Sequence, residues 1–105
     1  MKQLLGLIVL PEFGETLTDW LLMREDINGF TSSPVAGHGS HHAMSINEQV
    51  QGWREQQLYW VEVDAGHSQT LLEALKIDYP EVEIHYWLLP LAAQGSLSNF
   101  MTDSL

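Results

Sequence analysis

Residues 57–66, QLYWVEVDAG, read as a strand that runs straight into a turn. Tyr59, Val61 and Val63 alternate with Leu58, Trp60 and Glu62, which is the two-residue period of a pleated strand. Aromatic and β-branched residues suit that geometry. Gly66-His67-Ser68 turns the chain, and Ser68 is placed to cap a helix whose buried stripe is Leu71, Leu72 and Leu75. Tyr79-Pro80 ends that helix. Beyond it VEIHYWLLP, 82–90, alternates again, with Val82, Ile84, Tyr86 and Leu88 on one face and Glu83, His85, Trp87 and Leu89 on the other. The second half of the chain is therefore β-α-β.

The first half repeats the order. Residues 3–10 form a continuous apolar run, as in a central strand. Pro11 breaks it and suits a helix start, and Phe13, Leu17, Trp20 and Leu21 then share one helical face. Asn28-Gly29 supplies a stop, and Phe30–Val35 favours a strand that Pro34 confines to an edge or a bulge. Residues 36–54 show no period and read as a long flexible loop. The tail, 91–105, is small and polar from Ala92 on and suits either covering an edge or lying partly loose.

One β-α-β-β-α-β domain over 1–105 is expected, an α+β ferredoxin-like sandwich with a four-stranded antiparallel sheet and two helices on one face. That fold leaves the other sheet face open. Whichever set points inward, Leu58 and Trp60, or Trp87 and Leu89, remain on that face and make it apolar rather than polar. An uncovered patch of this kind drives association, so a homo-oligomer is expected.

Composition narrows the function. Four basic and fourteen acidic residues among 105 give a formal net charge of −10, which repels nucleic acid and anionic membranes. There is no cysteine, so disulfides and thiolate metal sites are excluded. The apolar start is interrupted by Gly6, ends at Pro11, and is far shorter than the roughly 20 residues of a spanning helix. A buried strand, no membrane insertion and a cytoplasmic location are expected. There is no Gly-x-Ser-x-Gly, P-loop or His-Glu-x-x-His pattern. Asp64, His67 and Ser68 read as a helix-capping turn, and no enzyme is expected.

The sharpest chemical signal lies in the loop. AGHGSHHAMS, 36–45, holds His38, His41 and His42 among glycine and serine. Neutral imidazole suits Zn, Cu or Ni, and the glycines let three rings converge on one ion. A fourth ligand is to come from Glu48, His85 or the loop of a second subunit. Solvated loop histidines without a task are the plain alternative.

FTSSPVAGHGSHHA followed by EQVQGWREQQLYWVEV resembles the segment of the PII signalling superfamily in which a Gly-x-Gly strand end enters a long signalling loop. Gly37-His38-Gly39 takes the Gly-x-Gly place. More narrowly, the chain looks like an uncharacterised bacterial PII-like family often encoded near heavy-metal efflux genes. The resemblance implies a trimer, loops that signal to a protein partner, and adenine nucleotides in clefts between subunits. Nucleotide binding is not expected, because after residue 54 the only basic residue is Lys76, on a helix. The expectation is a trimeric sensor or adaptor that responds to a metal or small ligand, with a metal carrier or buffer as the alternative.

Overall fold

The computed structural model describes residues 1–39 and 45–101. Its elements are β1 (Lys2–Val9), α1 (Gly14–Leu22), β2 (Ile27–Gly37), α2 (Ile46–Gln51), β3 (Arg54–Asp64), α3 (Ser68–Asp78) and β4 (His85–Pro90), with 3-10 turns at Pro11–Phe13 and Leu97–Asn99. The strands lie in the order β2-β3-β1-β4, and every neighbouring pair is antiparallel. Each helical crossover thus skips one strand. The α+β, ferredoxin-like class is the one observed, with an additional short helix in the connection between β2 and β3.

Register sets the core. Leu5 and Leu7 of β1 face Val61 and Tyr59 of β3, and these residues, with Val9 and Val63, pack against Leu17 and Leu21 of α1 and Leu71 and Leu75 of α3. All ten are essentially removed from water. Both main helices therefore cover one sheet face. Tyr59 carries the polar stitch within this layer: its hydroxyl donates to the Gly14 carbonyl at 2.6 Å and lies 2.9 Å from the Thr18 hydroxyl. A buried phenol needs such a partner, and here it anchors the start of α1 to the middle of the sheet.

The far ends of the helices are tied separately. Arg24 bonds Asp26 through Nε at 3.0 Å and Nη2 at 2.6 Å, and its guanidinium sits 4.9 Å over the Trp20 ring. Trp20 Nε1 in turn donates to Asp78 at 2.7 Å. The hydrogen bond from Arg24 holds the Asp26 carboxyl below its usual range, against the smaller opposing effect of burial.

Four details differ from the sequence expectation. Asn28-Gly29 does not stop α1, which ends at Leu22; it forms a bulge inside an eleven-residue β2, with Gly29 at φ 145°. Residues 36–54 are not one long loop. The paired ribbon runs out to Gly37 and Arg54, and α2 lies within the segment, closed at its end by Gly52 at φ 81°. Ser68 does not cap α3: His67 holds the cap position without a side-chain bond, and buried Ser68 donates to the Ala65 carbonyl at 3.3 Å. The last strand starts at His85 rather than at residue 82.

Tyr59→Phe removes the donor for the buried Gly14 carbonyl without changing shape. A loss of about 1–2 kcal/mol is expected, read as a lower urea midpoint with unchanged far-ultraviolet dichroism. A midpoint equal to that of the parent would show that the stitch contributes nothing.

Candidate functional site

Two surfaces stand apart from the core: the open sheet face and the outer end of the β2–β3 ribbon. On the open face Gly6 is opposite Trp60 on one side and Trp87 on the other. The indoles of Trp60 and Trp87 stack with centroids 6.2 Å apart and planes 28° from parallel. This requires glycine at position 6, since a Cβ there would stand 2.6 Å from the Trp60 ring. His85 meets the edge of Trp87 at 5.3 Å. Leu4, Ile8 and Leu58 share the face by register, and Trp87 and Leu89 are 43% and 45% exposed. Its paired rows carry little net charge. Asp64 is bonded to Lys2 at 3.0 Å, which lowers its carboxyl pKa through that hydrogen bond and the lysine's charge.

At the ribbon end Val35 and Gly37 pair with Gln56 and Arg54. The Gln56 side-chain amide occupies the place a Cβ would take at Gly37, so this glycine is fixed by packing. His38 follows immediately, exposed, with Nδ1 3.1 Å from the Gly52 carbonyl oxygen. A carbonyl only accepts, so Nδ1 carries the proton in this bond, and in the neutral ring Nε2 then keeps its lone pair. A ligating histidine is commonly oriented in this way. Beside the ribbon a hollow of about 390 Å³ is lined by Pro11, Pro34, Trp53 and Gln57, among others.

Of the expected metal ligands, His38 stands at the mouth of the loop, while His41 and His42 lie outside the described residues. Glu48 is committed elsewhere: its carboxylate accepts from the Ser45 amide at 2.9 Å, while the Ser45 hydroxyl accepts from the Glu48 amide at 3.2 Å. His85 does not meet His38 within one chain. It sits beside Ile8, in a row that reaches Leu58 and Ser33, and the last four residues of β2 lie between Ser33 and His38, a step of about 16 Å along an extended chain. Among the described residues no three His, Asp or Glu side chains converge as a metal site. Lys76 is on α3 and exposed. Asp64 is held by Lys2 and the Ser68 hydroxyl faces a backbone carbonyl. Sequence reasoning missed the capping box, although Ser-x-x-Glu at 45–48 is its signature. It also missed a groove of about 520 Å³ between α3 and β4.

A ferredoxin-like sheet with an extended β2–β3 ribbon is the fold of PII-like proteins, and solved structures match it. CPII, a nitrogen regulatory PII-like protein from Thiomonas intermedia K12 bound to ADP, AMP and bicarbonate, aligns at 22% identity and TM-score 0.60 over 83% of this chain and 86% of that one. A PII-like signalling protein from Thermus thermophilus aligns at 17% identity and TM-score 0.59, over 83% of each chain. The chain belongs to DUF3240, a family of proteins of unknown function, whose model matches residues 1–98. A DUF3240 family protein from Shewanella baltica OS155 is 25% identical, with TM-score 0.75 over 91% of this chain and 96% of that one. No curated protein matches by sequence. No helix among the described residues is long and apolar enough to cross a membrane.

Gly6→Ala forces the Trp60 ring off the β1 backbone. Overpacking of this kind costs about 1–3 kcal/mol. Urea denaturation should register the loss and tryptophan emission should shift in the folded state. An unchanged midpoint with unchanged emission would contradict the contact.

Proposed function

We propose that this chain is the subunit of a trimeric PII-like adaptor whose histidine loop takes up Zn, Cu or Ni and, in doing so, alters the surface it offers to a protein partner. The observation that carries the reading is His38, held at the mouth of the loop by the Gly52 carbonyl with Nε2 free to bind. His41 and His42 follow within four residues in sequence and are the proposed further ligands of the same ion. The fourth position is left to water or a second subunit, since Glu48 and His85 are engaged or distant. The ribbon carries this chemistry away from the core, so ordering the loop leaves the packed layer alone.

Association is supported by the open face, and the number three comes from the resemblance to PII-like proteins. Burying a large apolar side chain is worth roughly 1.5–3 kcal/mol, and Trp60, Trp87, Leu4, Ile8, Leu58 and Leu89 lie together. The face also avoids most of the chain's acids, which makes contact between copies of a −10 chain feasible. Light scattering should give about three times the 11.9 kDa chain mass, and Trp87→Glu should shift the protein to monomer. A monomeric parent at micromolar concentration would overturn the assembly.

Metal titration should show binding of moderate affinity that falls steeply below about pH 6, because imidazole must lose its proton to ligate. His41→Ala with His42→Ala should weaken binding at least tenfold and leave helix and strand content intact. Binding equal to the parent would remove these histidines from the site.

Two alternatives are separable. In a carrier or buffer, metal binds without changing loop proteolysis, whereas an adaptor's loop becomes protected or exposed. A nucleotide regulator is suggested by the ligands of the Thiomonas protein. Phosphate contacts need cations or a backbone nest, and basic residues are scarce here; calorimetry with ADP and ATP decides, with submicromolar binding favouring the nucleotide.

A further inference from the structure

The described C-terminal tail does not cover an edge of its own sheet. Its last bond to the body is Leu91 N–H to the Lys2 carbonyl, at 3.2 Å. From there it turns on itself, with Asn99 and Phe100 amides bonded to Ser96 and Leu97, around a hollow lined by tail residues alone. Leu97, Phe100 and Met101 are 84%, 50% and 61% exposed, and none of them belongs to the buried core. The 3-10 turn at Leu97–Asn99 places residues three apart on one side, so Leu97 and Phe100 form a single apolar knob. Residues 91–101 contain no charged side chain in a chain with fourteen acids.

A matching socket exists. The groove between α3 and β4, about 520 Å³, has Leu72, Leu75, Tyr79, Val82, Ile84 and Tyr86 in its lining. It flanks a strand whose six residues are all exposed. The two sheet edges are unequal. The β2 edge is blunted by Pro34 and by a bulge at Ile27/Gly29, which are devices that protect edges. The β4 edge, Tyr86-Trp87-Leu88-Leu89, has no such protection until Pro90, and natural sheets leave such an edge only where something covers it.

We infer that the tail of one copy docks on the next: the Leu97–Phe100 knob enters the α3–β4 groove of a neighbouring subunit, and the tail shields its β4 edge. This rests on the oligomer proposed above and adds a second contact to the open-face interface. The contact is heterologous, knob to socket, so a ring of copies satisfies every groove when it closes. An uncharged tail suits the exchange, since it adds no repulsion between acidic chains.

The absence of native cysteine makes the test direct. A tagged chain carrying Leu97→Cys and an untagged chain carrying Glu73→Cys, on the groove rim, are co-expressed and treated with a short bis-maleimide. A covalent product of the two different chains is expected, and none when the second cysteine is Thr16→Cys on α1. Leu97→Ser with Phe100→Ser should raise the concentration at which the oligomer dissociates at least tenfold. A trimeric parent that gives no inter-chain product overturns the tail exchange and leaves the open-face assembly standing. A product formed only inside a single chain bearing both cysteines assigns the groove to its own tail and also overturns the exchange. A monomeric parent overturns the assembly as well.

Discussion

The register of β1 against β3 and β4 governs the rest of this molecule. Placing Leu5 opposite Val61 and Leu7 opposite Tyr59 puts the aliphatic rows under the two helices. The same register, by parity, puts Gly6 between Trp60 and Trp87 on the other side. A slip of β1 by one residue exchanges that strand's faces completely. The slipped strand would set Leu4, Gly6 and Ile8 against α1 and α3 and turn Leu5, Leu7 and Val9 toward the indole side. Core and exposed aromatic face are thus two results of a single choice. Tyr59, bonded to the start of α1, fastens that choice to the helical layer.

Much of this arrangement was legible in the sequence, and the errors have local causes. The alternation of Tyr59, Val61 and Val63 with Leu58, Trp60 and Glu62 sorted the residues into their two faces because a strand's period is stiff, and only the packing of the helices decided which set is inside. The apolar open face was legible for the same reason. Asn28-Gly29 misled because one dipeptide serves both a helix end and a strand bulge, and only pairing with Glu62 distinguishes them. The six residues of α2 span too few turns to show a period, so only the cap signature could have revealed the helix. At the candidate site, the position of His38 was readable but its ring orientation was not. The Gly52 carbonyl that fixes it depends on two strands meeting. Glu48 and His85 were plausible ligands by residue type alone. Three-dimensional placement engages the first in a helix cap and removes the second to the far side of the sheet.

Charge is distributed to the same plan. Fourteen acids against four bases make most of the surface repel its own copies, while the open face pairs Lys2 with Asp64 and, apart from Glu62, presents mainly indole and aliphatic groups. The tail likewise is free of charge over residues 91–101. A molecule built in this way separates two kinds of contact. Neutral apolar surface is available for like subunits, and the ribbon end, with its imidazole beyond Gly37, stands clear for a ligand or a partner.

The central position of β1 has a consequence for how the chain comes into being. Of the four strands this one is made before the others, yet both of its neighbours come late: β3 spans 54–64 and β4 spans 85–90. A nascent chain that has emerged only to α1 has a helix and a strand with nothing to complete them, and β2 cannot help because it does not touch β1. Sequence-distant pairing must precede the reward of burial, which slows folding and makes it cooperative. The central strand therefore gains its second neighbour only when nearly the whole domain has left the ribosome. Completion of the sheet is in effect a report that translation of the domain has finished.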